Sequence, residues 1–151
     1  MYRLSPLRHA LKRMWKRVER AYESVITASD QDRPYAIIDF IEYISEYAEA
    51  FAKYITAKSG KSPEKYEDYL SKIKEPYARK ILCLAKLRKV LYRGYKIEGV
   101  SVLIDKDESI SDLAFGIREN KYIITTSEVT LFYKLMREIK EKFTGRHISS
   151  S

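Results

Sequence analysis

Cysteine is almost missing from this chain: among 151 residues there is only Cys83, set in the apolar run Ile81-Leu82-Cys83-Leu84-Ala85. A lone thiol excludes an intramolecular disulfide and a four-thiolate zinc site, and it fits a reducing cytoplasm. Glycine is scarce as well, with five residues, and neither a Gly-rich phosphate loop nor a serine-centred elbow occurs. No apolar run approaches the roughly 18 residues needed to span a bilayer. Arg3, Arg8, Lys12 and Arg13 are followed by no apolar signal core. The expectation is a soluble cytoplasmic protein with no membrane contact. Amides are reduced to Asn120 and Gln31 beside 33% charged residues, a balance that points to a high-temperature source.

Positive charge is what the chain has in excess. The net charge is +8 and the isoelectric point about 9.4. A field of this sign draws in polyanions, so nucleic acid or an acidic protein is the first partner to expect. A chain of this length makes one domain and buries roughly two thirds of the surface its unfolded form exposes.

The apolar periodicity predicts a mostly helical α+β domain. Ser5-Pro6 reads as an N-cap with proline at the first helical position. Leu7, Leu11, Met14, Trp15, Val18, Tyr22, Val25 and Ile26 then recur at three- and four-residue spacing. A polar loop, 27–33, closes at Pro34. The second helix, to about Lys58, turns Ile37, Phe40, Ile41, Tyr43, Ile44, Tyr47, Ala48, Phe51 and Ile55 inward and carries Asp39, Glu42, Glu46 and Glu49 opposite. Ser62-Pro63 opens a short third helix, and Pro76 a fourth that runs to about Tyr92. From Gly94 the pattern becomes extended, predicting a hairpin of Tyr95–Ile97 and Val100–Ile104 around Gly99. Ser109 to Glu119 reads as a helix, Tyr122 to Thr126 as a strand and Glu128 to Phe143 as a final helix, with a frayed tail, Thr144 to Ser151. On this reading Val100–Ile104 and Tyr122–Thr126 pair in parallel through a βαβ crossover. Two strands are marginal, so Tyr95–Ile97 or a second copy should complete the sheet.

Two basic constellations stand out. The first helix carries Lys12, Arg13, Lys16, Arg17 and Arg20, and residues 1–20 hold seven Lys/Arg against one Glu. On the fourth, Arg79, Lys86, Lys89 and Arg93 follow at spacings of seven, three and four, one face of a helix, with no acidic residue between Pro76 and Tyr95. Such rows can track a phosphate backbone. The plain alternative is that they are solvated faces, or pair with the acidic face of the second helix. Tyrosines 35, 43, 47, 54, 66, 69, 77, 92 and 95 would stack on bases where exposed beside these cations, and belong to the core where they are not.

A third constellation is acidic: Asp105, Asp107, Glu108 and Asp112 after one expected strand, Glu128 after another. Carboxylates at strand ends of an α/β unit can hold Mg²⁺ for phosphodiester cleavage. With Tyr122-Ile123-Ile124-Thr125-Thr126-Ser127-Glu128, residues 100–135 resemble a PIN-type ribonuclease, which implies a Mg²⁺-dependent nuclease using Asp105, Asp107, Asp112 and Glu128. The order of three helices and a hairpin is also that of a winged helix, although the fourth helix is apolar nearly all round. Ile124-Thr125-Thr126-Ser127 before an amphipathic helix, and Phe40 to Tyr54 with Glu49-Ala50-Phe51, resemble segments of the small helical subunits of type III CRISPR complexes, in swapped order. That likeness implies a non-enzymatic protein lining an RNA. His9 and His147 stand in no readable relation to Cys83, so nucleophilic catalysis has no support.

These observations predict a non-enzymatic accessory subunit that contacts nucleic acid through Lys12, Arg13, Lys16, Arg17, Arg20, Arg79, Lys86, Lys89 and Arg93, with no cofactor. Self-association, an interaction module for an acidic protein, and the Mg²⁺ nuclease are the alternatives.

Overall fold

The computed structural model describes the backbone of residues 3–150 and the side chains of residues 3–143, so the tail expected to fray lies outside the residues whose side chains are described. The helices are α1 (Ser5–Thr27), α2 (Arg33–Lys58), α3 (Tyr66–Lys72), α4 (Ala78–Tyr92) and α5 (Thr126–Ser150). The strands are β1 (Tyr95–Glu98), β2 (Ser101–Asp105), β3 (Gly116–Arg118) and β4 (Lys121–Ile124). Single 3₁₀ turns at Pro63–Lys65 and Glu108–Ile110 precede α3 and β3. The mostly helical α+β class stands as expected.

Proline marks the helix starts, but the expected serine caps are not made. Ser5 is already helical, Leu4 precedes it, and neither Leu4 nor Ser62 caps through its side chain. The other end of α1 is closed from outside. Arg33 donates from Nη2 to the Ala28 carbonyl at 2.7 Å and from Nε to that of Val25 at 3.4 Å, and it pairs with Asp30 at 2.7 Å. A guanidinium thus satisfies carbonyls that a helix end leaves open, and complements its dipole.

Helix α2 runs through the centre of the fold. Ile37, Phe40, Ile41, Ile44, Tyr47 and Ala48 are all buried, whereas Tyr43, expected inward with them, and Ile26, expected on the apolar stripe of α1, are exposed. α1 lies antiparallel along it, with Tyr22 against Phe40 and Trp15 against Tyr47. α4 packs on another side, tied by Ser45, whose hydroxyl donates to the Ala85 carbonyl at 2.8 Å and accepts from the Arg88 amide at 3.1 Å. Burial around most of the circumference of α2 is what its apolar run requires. The thiol of Cys83 is buried too, which raises its pKa and keeps it protonated.

The predicted βαβ unit is not formed. The sheet has the order β1-β2-β4-β3 and every neighbour is antiparallel. Its hairpin around Gly99 is as expected, with φ of 60° at Gly99 and β1 paired to β2 from Glu98↔Ser101 to Tyr95↔Ile104. The segment from Ser109 to Glu119 is not a helix, for three reasons. Asp107 caps only the 3₁₀ turn, by accepting from the Ser109 amide. Glu119 and Asn120 both take left-handed φ, 49° and 62°, which turns β3 back onto β4 as a tight hairpin. Gly116 leaves room for Ile123, whose Cγ2 would lie 2.8 Å from a Cβ at that position. β1 and β3 flank the pair, so the sheet is completed within the chain.

One sheet face packs Val102, Ile104 and Ile124 into the helical core. Alternation puts Leu103 and Ile123 on the other face. Yet Leu103 is only 2% exposed. The side chains of Arg118 on β3 and Glu98 on β1, opposite edges of the sheet, meet at 2.9 Å on that face, and Lys121 and Asp105 meet at 2.6 Å. The stems of these ion pairs shield the apolar residues.

Because Ile123 carries its Cγ2 on the branched carbon, it cannot swing clear of an added methyl group. Gly116→Ala is expected to cost about 1–3 kcal/mol, read as a lower urea midpoint with unchanged slope.

Candidate nucleic-acid interface

The inward face of α1 is Leu11, Trp15, Val18, Ala21 and Val25. A 3.6-residue period then leaves Lys12, Arg13, Lys16, Arg17 and Arg20 on its outward face, and all five are exposed. None of the nine ion pairs among the described residues involves any of them. Glu19 and Glu23 are the only acidic residues on the same helix.

α5 enlarges this cationic surface in a way the sequence did not disclose. Tyr133 stacks between Trp15 at 5.5 Å and Tyr22 at 4.2 Å, and Tyr22 shares a hydrogen bond of 3.2 Å with Thr130. This ladder fixes α5 against α1. Arg137 then lies 5.5 Å over the Tyr133 ring and Lys140 5.2 Å over Trp15, each held by attraction to an aromatic face. The spacing Tyr133, Arg137, Lys140 was the available signal, but it has meaning only once Trp15 is known to lie beside it.

The fourth-helix row fares differently. Arg79 pairs with Asp112 at 2.7 Å and Arg93 with Asp107 at 3.0 Å, Lys86 is half-buried, and Lys89 is exposed. Two members of the acidic constellation, Asp107 and Asp112, are therefore partners of two members of the basic row. Lys121 takes Asp105 in the same way. Glu128 accepts from the Thr125 amide and hydroxyl, both at 2.7 Å, and Thr125 accepts from the Ser127 amide at 3.2 Å. This is a capping box at the start of α5, legible as Thr-x-x-Glu. Among the described residues no three of His, Cys, Asp and Glu gather as a metal-holding group. Asp105, Asp107, Asp112 and Glu128 do not form such a group.

No family model, curated protein or solved structure matches the chain. The geometry carries the functional argument alone.

Of the nine tyrosines singled out, Tyr47 and Tyr66 are buried, Tyr54, Tyr69 and Tyr77 half-buried, and Tyr35, Tyr43, Tyr92 and Tyr95 exposed. Tyr92 spends its hydroxyl on Glu42 at 2.9 Å. An open cleft of about 250 Å³ lies between α1 and α2, lined by Arg17, Arg20, Ala21, Ser24, Asp39 and Tyr43. Burial, and secondarily the nearby Glu42, raise the Asp39 carboxyl above its ordinary value.

Two outcomes follow for the acidic residues. Hydrogen bonds from Ser109, then Arg93, hold the Asp107 carboxyl below its ordinary 3.8. Its contribution to stability is complete above that value and disappears as pH falls through the depressed one. Asp107→Asn should therefore flatten the acid limb of the stability curve below pH 3.8. Glu128→Ala removes the reciprocal cap and is expected to cost about 1 kcal/mol in urea denaturation.

Proposed function

We propose that this protein is a non-enzymatic accessory subunit that binds the phosphate backbone of a nucleic acid, chiefly through α1. The observation that carries the reading is the outward face of α1. Its five cations, Lys12, Arg13, Lys16, Arg17 and Arg20, have no ion-pair partner among the described residues, whereas the fourth-helix row is half neutralised by Asp107 and Asp112. An unpaired cationic row gains most from a polyanion, because each phosphate it meets releases condensed counterions. Arg137 and Lys140 add to the row from α5, while Lys86 and Lys89 form a secondary contact. The lone buried thiol and the scarcity of amides support a cytoplasmic, high-temperature setting.

Fluorescence anisotropy with labelled single-stranded RNA and duplex DNA across a salt series tests the reading. Each of Arg13→Gln and Lys16→Gln should lower the slope of log K against log salt by about 0.7 on a single strand, or about 0.9 on a duplex. Arg79→Gln and Arg93→Gln should change it less, since each arginine is already engaged by a carboxylate. Absence of binding at low salt, or a slope insensitive to the α1 substitutions, would overturn the assignment. Tight binding to an acidic protein instead would identify the partner class.

A further inference from the structure

The α1/α2 cleft adds to the cationic row something a phosphate-binding surface does not need. Arg17 and Arg20 belong both to the row and to the cleft wall, so the cleft opens along the path a bound backbone would follow. Its other wall presents Asp39 and the ring of Tyr43, which is 39% exposed. Tyr35, Asp39 and Tyr43 stand at four-residue intervals along α2, one stripe of that helix, and Tyr35 is 60% exposed. Asp39 and the Tyr43 hydroxyl have no hydrogen-bond or ion-pair partner among the described residues.

A carboxylate is the wrong group to meet a phosphate. Placed beside two arginines that do meet one, it suits a ligand that brings hydrogen-bond donors along with its negative charge. A nucleobase does so: it offers a π-face to a tyrosine and, on its pairing edge, donors to an acceptor-only carboxylate. In a duplex that edge is engaged by the complementary strand, and the bases are stacked inside. The cleft, at about 250 Å³, is smaller than the roughly 300–1,000 Å³ of pockets that enclose drug-sized molecules, which suits one flat heterocycle.

We propose that the ligand is single-stranded and that the α1/α2 cleft takes one unstacked base, its ring on Tyr43 and its donor edge on Asp39, with Arg17 and Arg20 on the flanking phosphates. This rests on the reading of α1 as a phosphate-binding face. Guanine is the best match, since its ring N–H and its amino group are adjacent donors that reach both carboxylate oxygens. Uracil offers one N–H between two carbonyl oxygens, which repel the carboxylate.

Three labelled probes, a short oligouridine, the same strand with one central guanine and a duplex of equal length, are titrated by anisotropy with the full chain. The guanine-bearing strand should bind most tightly. Tyr43→Ala should weaken single-strand binding about tenfold, and Tyr43→Phe should not, since the ring remains. Asp39→Asn should remove the guanine advantage and, by relieving the repulsion from the uracil carbonyls, leave oligouridine binding no weaker than before. None of these changes should alter the salt slope. If binding keeps its dependence on Arg13 and Lys16 but ignores Tyr43 and Asp39, or if duplex binds as well as the single strands, the cleft assignment is overturned and the α1 reading survives. Absence of binding to all three at low salt overturns both.

Discussion

Helix α2 cannot be left in water. Its apolar residues cover too much of its circumference for one neighbour to hide, so α1, α4, α3 and α5 must enclose it and β2 must close part of the remaining side. Each of these elements spends its own apolar face on that enclosure. Ser45 shows how tight the arrangement is, since its hydroxyl joins two helix backbones within the interface. The sheet is a minor partner, added on one face and protected on the other by ion-pair stems.

This enclosure decides where charge ends up. The carboxylates of α2 on its far side meet α3 and α4: Glu49 lies with Tyr66 and Arg88, Glu42 with Tyr92. Asp112 meets Arg79 near the start of α4, Asp107 meets Arg93 just past its end, and Asp105 meets Lys121 of β4. None of these pairs reaches α1. Its outward cations are left in solvent, and α5 brings two more cations beside them over the Trp15–Tyr133–Tyr22 ladder. Exposed ion pairs add little to stability, so the uneven division costs the fold little. Its consequence is an excess of unpaired positive charge on the face that α1 and α5 share.

The tyrosines divide along the same lines. Those turned to the α2 core are apolar filling, and burial pushes the Tyr47 phenol well above its ordinary pKa. Tyr35, Tyr43, Tyr92 and Tyr95 keep a ring in solvent, and Tyr43 does so in the cleft that Arg17 and Arg20 also line. Composition alone could not divide them, because helical spacing suits either role.

Sequence by itself determined what depends on near neighbours along the chain. The period of Leu11, Trp15, Val18 and Val25 fixes which side of α1 is cationic, Pro34 and Pro76 mark breaks, and Gly99 makes a hairpin turn. The Thr125–Glu128 cap was equally legible, but it was read as chemistry because a carboxylate after a strand fits both roles. The region 109–119 reads as a helix in sequence, since the left-handed pair Glu119-Asn120 and the contact of Gly116 with Ile123 become decisive only when β4 lies alongside. Tertiary structure alone decided that the acidic 105–112 segment neutralises α4, that α5 extends α1, and that Asp39 and Tyr43 face Arg17 and Arg20 across a cleft. The physical reason is range: a helix period repeats within a few residues, whereas the field at a surface depends on which charges packing brings within a few ångströms, however distant they are in the chain.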